Sequence, residues 1–153
     1  NGVSEFWKTL EWLYEQGRLR EGLQFKIESK ASFQVTIGKE EVDYDNYEGN
    51  EILFLRLSSA HQDYVKAAST RDGVDIINET TLRNYFKNRS YYIGKSEGKK
   101  FEGKNTTSYV FNYTKMKLGN ILNLDSQTKS ASSLEQSTIN MPNEPAEKED
   151  LPF

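Results

Sequence analysis

The sequence predicts an α+β fold with a winged-helix-like order of elements, small antiparallel hairpins and a disordered C-terminal tail. Amphipathic segments of helical spacing alternate with short runs rich in β-branched and aromatic residues. A predicted basic helix is followed directly by a predicted hairpin. After Leu124 the composition changes to Ser, Thr, Gln, Asn, Glu and Pro, which leaves little to bury. We therefore expect one domain over residues 1–124 and a disordered acidic tail over residues 125–153.

The N-terminal segment predicts one helix followed by two strands. Ser4 is a suitable N-cap for this helix and Gly17 a suitable stop. The apolar side chains of the helix share one stripe, which consists of Val3, Phe6, Trp7, Leu10, Leu13 and Tyr14. Apolar and polar residues then alternate over residues 19–27 and 32–37, a pattern typical of half-buried strands. We expect these two strands to form a hairpin.

The middle of the chain predicts a surface loop, a short apolar run and a second helix. Residues 38–50 are acidic and rich in turn-forming residues, and they lack the Gly and terminal Glu of an EF-hand calcium loop. Residues 52–57 form either a strand or the entry to a helix predicted over residues 59–69. The sole histidine, His61, lies on the apolar face of that helix, which favours a hydrogen-bonded core residue over a catalyst.

A basic helix and a hairpin are predicted next. Asn78 is a suitable N-cap for a helix over residues 79–88. One face of this helix is polar and carries Thr80, Arg83, Asn84 and Lys87. Two predicted strands, residues 91–93 and 107–113, then flank a glycine-bearing connection that is rich in lysine. This order predicts a recognition helix followed by a wing.

The charge is segregated along the chain. The whole chain has a net charge of −3, but residues 82–124 hold nine basic and two acidic side chains. Residues 1–81 carry a net charge of −6 and residues 125–153 a net charge of −4. A basic block within an acidic protein predicts a local binding site for a polyanion. The alternative is a basic surface that is merely solvated.

DNA is the polyanion that this pattern favours. Arg83 and Asn84 have the donors and acceptors that read base edges in a major groove, whereas lysines neutralise phosphates. The predicted DNA-binding residues are Thr80, Arg83, Asn84, Lys87, Arg89, Lys95, Lys99, Lys100 and Lys104. The strandedness of the DNA stays open. The aromatic residues of the predicted hairpin either stack on unpaired bases or pack in the core.

Several kinds of chemistry are excluded. The chain has no cysteine, and one histidine cannot assemble the usual zinc sites. Gly94, Lys95 and Ser96 look like the end of a P-loop, but Arg89 stands where that motif requires glycine. Because no pair of nucleophile and base can be assembled either, we predict neither a cofactor nor catalysis.

The chain also lacks the signals of a membrane or exported protein. No apolar run reaches the ~18 residues of a membrane span, and no export signal is visible. We therefore expect a cytoplasmic protein without membrane contact. The first residue is Asn rather than Met, so whether the chain is a fragment of a longer one stays open.

The last four residues form the most specific motif. Asp150, Leu151, Pro152 and Phe153 follow a mixed acidic stretch that contains Lys148. They resemble the acidic Asp-Leu-Pro-Phe tip of bacterial single-stranded DNA-binding proteins. The resemblance implies a docking peptide whose terminal Phe enters an apolar pocket on a replication or repair protein. Lys148 departs from that family's tail, and the preceding domain does not look like the family's five-stranded OB barrel.

Four further segments resemble parts of the C-terminal domain of virulence-associated E-type primase-helicases, which are carried on mobile elements of Bacteroides-like bacteria. They are residues 12–17, 82–88, 91–94 and 107–113. The resemblance implies an accessory region that follows a P-loop ATPase and serves the replication of mobile DNA. The matching segments contain no catalytic motif.

We therefore expect a non-catalytic DNA-binding accessory domain of a replication or mobilisation protein, with a C-terminal peptide that recruits a replication partner. One alternative is a protein–protein adaptor that does not bind DNA. Another is a single-stranded DNA-binding protein, which would require an OB barrel.

Overall fold

Four helices and six strands form the part of the chain that the computed structural model describes, residues 2–125. A compact unit spans Asn1–Asn123. The helices are α1 (Gly2–Glu15), α2 (Leu57–Ala68), α3 (Glu79–Phe86) and α4 (Tyr113–Leu118). The strands are β1 (Phe25–Glu28), β2 (Ser32–Ile37), β3 (Glu40–Asp45), β4 (Ile52–Leu55), β5 (Tyr92–Phe101) and β6 (Lys104–Asn112). Within residues 2–125, none of the helices combines the length and apolar character that a membrane span requires.

The strands form one antiparallel sheet in the order β1-β4-β6-β5-β2-β3. The hairpin of β5 and β6 occupies its centre, and β1 and β3 are its edges. All four residues of β4 are buried. Because side chains alternate between the two faces of a strand, both faces of the sheet are covered at β4.

Three aromatic rings join α1, α3 and the helix-covered face of the sheet. Trp7 of α1 stacks on Phe86 of α3 with ring centroids 5.2 Å apart, and it meets Phe111 of β6 at 5.6 Å. Phe86 and Phe111 meet edge to face at 5.1 Å. All three side chains are buried. This contact holds α3 against the centre of the sheet and so sets the direction of its polar face.

The other face of the sheet carries a second apolar cluster, which consists of Val35, Ile52, Phe54, Ile93, Phe101 and Val110. The ring of Phe33 on β2 lies 5.7 Å from the ring of Phe54 on β4. Strands β6 and β5 separate β2 from β4, and neighbouring strands lie about 4.8 Å apart, so in a flat sheet β2 and β4 would be about three such spacings apart. Because the two rings meet at a much shorter distance, the sheet curls around this cluster.

The α+β class predicted from the sequence is confirmed. The winged-helix-like arrangement stays a prediction. Helices α2 and α3 and the β5–β6 hairpin follow one another in the expected order, but the hairpin belongs to the middle of a larger sheet. The predicted disordered tail, apart from Asp125, and the docking peptide Asp150 to Phe153 lie outside the described residues.

Four local expectations are wrong. Ser4 is not the N-cap of α1, because the helix already includes Gly2 and Val3. Residues 19–27 and 32–37 form no hairpin, because β1 pairs with β4 while β2 pairs with β3 and β5. Residues 38–50 are not a loop throughout, since Val42 and Tyr44 pack against the second apolar cluster and make β3 an edge strand. The lysine-rich connection is not a loop either: β5 and β6 continue to a turn at Glu102 and Gly103, both with positive φ.

Candidate nucleic-acid interface

Helix α3 forms where the sequence predicts it. The side chain of Asn78 caps the helix, because its Oδ1 accepts a hydrogen bond from the backbone N–H of Thr81 at 2.8 Å. Leu82 and Phe86 are buried on one face. The opposite, polar face therefore borders the open space beside the sheet.

That polar face forms one wall of a groove of about 670 Å³, which we call the α3 groove. The wall consists of Thr80, Arg83, Asn84 and Lys87. The central strands contribute Tyr92, Ile93, Lys95 and Tyr109. Strand β2 and the turn after it contribute Thr36, Ile37 and Gly38. Five of the nine predicted DNA-binding residues thus line one groove: three from α3, Lys87 at the C-cap of α3 and Lys95 from β5.

The α3 groove is basic. Arg83, Lys87 and Lys95 line it, and its lining includes no Asp or Glu. The Nζ atom of Lys95 lies 3.2 Å from Glu97 Oε2. Hydrogen bonds from Thr107 and Lys95 lower the pKa of Glu97, so this exposed carboxylate stays charged near Lys95. The positive charge that faces the groove therefore comes mainly from Arg83 and Lys87.

Arg83 is held along the groove wall. Its Nη2 donates a hydrogen bond to Thr80 Oγ1 at 3.2 Å, and Tyr109 lines the same groove. The nearby phenol of Tyr109 raises the pKa of Arg83 above its usual value. That Arg83 reads base edges stays a prediction.

Two tyrosines line the groove, and the other candidate stacking residues do not. Tyr91, Phe111 and Tyr113 are buried, so they pack in the core, whereas Tyr92 and Tyr109 are half-buried in the groove. The ring of Tyr92 packs edge to face on Phe111 at 5.6 Å. Burial, followed by the nearby Tyr109, raises the pKa of Tyr92 to about 12. Tyr92 is therefore a neutral phenol at physiological pH.

Four predicted DNA-binding residues lie outside the groove lining. The guanidinium of Arg89 lies over the ring of Tyr85 at 4.3 Å and donates to its hydroxyl at 3.3 Å. Lys100 and Lys104 are exposed near the far end of the β5–β6 hairpin, where Lys100 opposes Asn105. These three cations are accessible to phosphates.

Lys99 has a different environment. Its Nζ lies 4.5 Å from the ring centroid of Phe54 and forms a salt bridge with Glu28. Burial lowers the pKa of Lys99, although the bond to Glu28 opposes this. Burial also opposes ionisation of Glu28, but the hydrogen bonds and charges of Lys99 and Lys30 outweigh it and lower the pKa of Glu28. Lys99 therefore covers the second apolar cluster and is already paired with Glu28, and its predicted contact with phosphate stays a prediction.

The wall formed by Thr36, Ile37 and Gly38 was not predicted from the sequence. It depends on a close approach of β2 to β5 at Gly94. A Cβ atom at Gly94 would lie 2.7 Å from the carbonyl oxygen of Thr36 and 2.6 Å from Val35 Cγ2. The glycine therefore permits a pairing between strands that are distant in sequence.

His61 and the acidic side chains were the other candidates for chemistry in the sequence. Nε2 of His61 lies 2.8 Å from the carbonyl oxygen of Ile77 and its ring packs near Tyr64, so the predicted hydrogen bond is present, but the side chain is partly exposed rather than buried in the core. Among residues 2–125, no three His, Cys, Asp or Glu side chains come together as a metal site. Comparisons with protein-family models, curated proteins and solved structures gave no match to this chain.

Proposed function

We propose that the chain is a non-catalytic DNA-binding accessory domain of a cytoplasmic replication or mobilisation protein, and that the α3 groove is its DNA site. One observation carries the proposal: side chains from α3 and from β5, two separate segments, converge on a basic groove whose lining contains no acid. Phosphate neutralisation by such cations supplies most of the affinity of proteins for DNA. Arg89, Lys100 and Lys104 extend the proposed phosphate contacts beyond the groove.

The context of the proposal comes from sequence resemblance. Residues 82–88 and 91–94, which resemble primase-helicase segments, are also the segments that build much of the α3 groove. A domain that follows a helicase motor and binds DNA would place that motor on its substrate.

The tip, Asp150 to Phe153, is proposed to recruit a replication or repair protein through its terminal Phe and carboxylate.

The DNA site is tested by fluorescence anisotropy with the full chain and labelled DNA, both single-stranded and duplex. The variant Arg83→Ala/Lys87→Ala removes two groove cations and should weaken binding about tenfold or more near 0.1 M salt. The matched control, Lys8→Ala/Lys66→Ala, removes two exposed lysines from α1 and α2 that do not line the groove. Equal losses in both variants would contradict the groove. Absence of DNA binding even at low salt would favour the protein–protein adaptor.

The tip is tested separately with peptides. A labelled peptide of residues 144–153 is titrated into a replication or repair protein whose pocket accepts tips of single-stranded DNA-binding proteins. Replacing the anchor in the peptide, Phe153→Ala, should weaken binding about 30-fold or more, as expected for a central aromatic anchor. Equal affinity of the two peptides would contradict the docking role.

A further inference from the structure

We infer that the ligand of the α3 groove is an unpaired nucleic-acid strand, with neighbouring bases placed against Tyr92 and Tyr109 and phosphates against Arg83 and Lys87. The inference rests on the proposed function and names the substrate class of the same site.

The arrangement of α3 disfavours a duplex. A helix that reads duplex DNA enters a major groove about 12 Å wide and projects its polar side chains onto base edges. Here the polar face of α3 lines a groove that Ile37 and Gly38 line as well. The Nη2 atom of Arg83 is hydrogen-bonded back to Thr80 of the same helix. The polar side chains of α3 thus face a ligand that enters the groove.

The placement of the two tyrosines favours an unpaired strand. Tyr92 lies opposite Phe111 on the neighbouring strand, and Tyr109 lies two residues before Phe111 on the same face. Tyr92 and Tyr109 therefore lie on neighbouring strands on one side of the groove, with a register shift of β5 between Tyr92 and Gly94. A duplex keeps its bases paired and stacked, so their faces are not free to stack on side chains. An unpaired strand can place its bases on both rings.

Charge and ring chemistry fit the same ligand. Single-strand sites combine cations that follow the backbone with aromatic rings on which bases stack. Arg83 and Lys87 line the groove from the side of α3, while the two tyrosines belong to the central strands.

The test compares strands and tyrosines in the full chain. Anisotropy is measured with a short labelled oligothymidine, the matching oligouridine and a duplex of equal length. Tyr92→Leu and Tyr109→Leu should each weaken binding of the preferred single strand about 5- to 150-fold. Tyr47→Leu is the matched control, because Tyr47 is 90% exposed and lies outside the groove lining. Thermal unfolding of each variant shows whether it is folded.

A second measurement needs no variant. Ultraviolet cross-linking of a bromouracil-containing strand to the unaltered chain should map to Tyr92 or Tyr109. Tighter binding of either single strand than of the duplex, with losses in Tyr92→Leu and Tyr109→Leu and none in Tyr47→Leu, supports the inference. The ratio of DNA to RNA affinity identifies the sugar.

Two outcomes overturn the inference. A duplex that binds as tightly as the single strands, with a loss on Arg83→Ala/Lys87→Ala but none at the tyrosines, refutes the inference and leaves the proposed function intact. Absence of binding to every probe refutes both.

Discussion

Arg83 on α3 and Tyr109 on β6 both line the α3 groove, where the nearby phenol of Tyr109 raises the pKa of the Arg83 guanidinium. The two residues are far apart in sequence, and neither was predicted to contact the other. Both the charge and the aromatic character of the groove therefore depend on how α3 packs on the sheet.

Tyr109→Phe tests this interaction. The variant keeps the ring but removes the hydroxyl near Arg83, so the free energy of unfolding should fall by about 0.5 kcal/mol, a small loss because the site is partly solvated. Urea denaturation measures the change. Tyr47→Phe, which removes an exposed contact between Tyr47 and Asp45, should leave stability unchanged. A Tyr109→Phe variant as stable as the unaltered chain would show that the interaction contributes nothing.

Gly94→Ala tests the second wall of the groove. The added Cβ would press on the carbonyl oxygen of Thr36 at 2.7 Å, which belongs to backbone and cannot rotate away. We expect a loss of about 2 kcal/mol in stability, as for other overpacked sites, together with weaker DNA binding as β2 shifts. Gly98→Ala is the control in the same strand, because nothing lies within 4 Å of its Cβ position. Similar losses in both variants would exclude the steric explanation.

Lys99 and Lys100 should behave differently although they are adjacent. Lys99→Ala removes a salt bridge, a cation–π contact and the cover of the second apolar cluster, so it should cost about 1 kcal/mol of stability. Lys100 is exposed, and Lys100→Ala should change stability by less than about 0.5 kcal/mol. Thermal unfolding distinguishes the two. The reverse order of stabilities would contradict the structural role of Lys99.

Acid should destabilise the fold in part through Glu28. Its pKa in the folded protein is below the ordinary value of 4.5, so its carboxylate form stabilises the fold above about pH 4.5. This contribution is lost as the pH falls through the lower folded pKa, and it amounts to at most about 1 kcal/mol for a partly exposed pair. Urea unfolding at several pH values should show a shallower acid loss in Glu28→Gln. Identical pH profiles would exclude the role of Glu28.

Local signals in the sequence predict the helices well. The apolar stripe of α1 and the cap at Asn78 are formed by residues within a few positions of one another, so helical spacing is enough to place them. The strand β3 was missed because its charged residues suggested a loop, whereas an edge strand can expose acids on one side while Val42 and Tyr44 are packed on the other.

Contacts between distant segments could not be predicted. Lys99 and Glu28 are 71 residues apart, so nothing local shows that this lysine is paired. Tyr91 and Tyr92 are adjacent, and successive strand residues face opposite ways, but the sequence does not show which of them is buried. A register shift between Tyr92 and Gly94 also breaks the regular alternation of side chains along β5, so the buried face cannot be read from the sequence pattern.

The central claim is that the cations of the α3 groove contact nucleic-acid phosphates. The most direct measurement is the salt dependence of oligothymidine binding by the full chain and by Arg83→Ala/Lys87→Ala. If each cation neutralises one phosphate, the log–log slope should become shallower by about 1.4 units, or about 0.7 per contact on a single strand. An unchanged slope, or the same flattening in the control Lys8→Ala/Lys66→Ala, would contradict the claim.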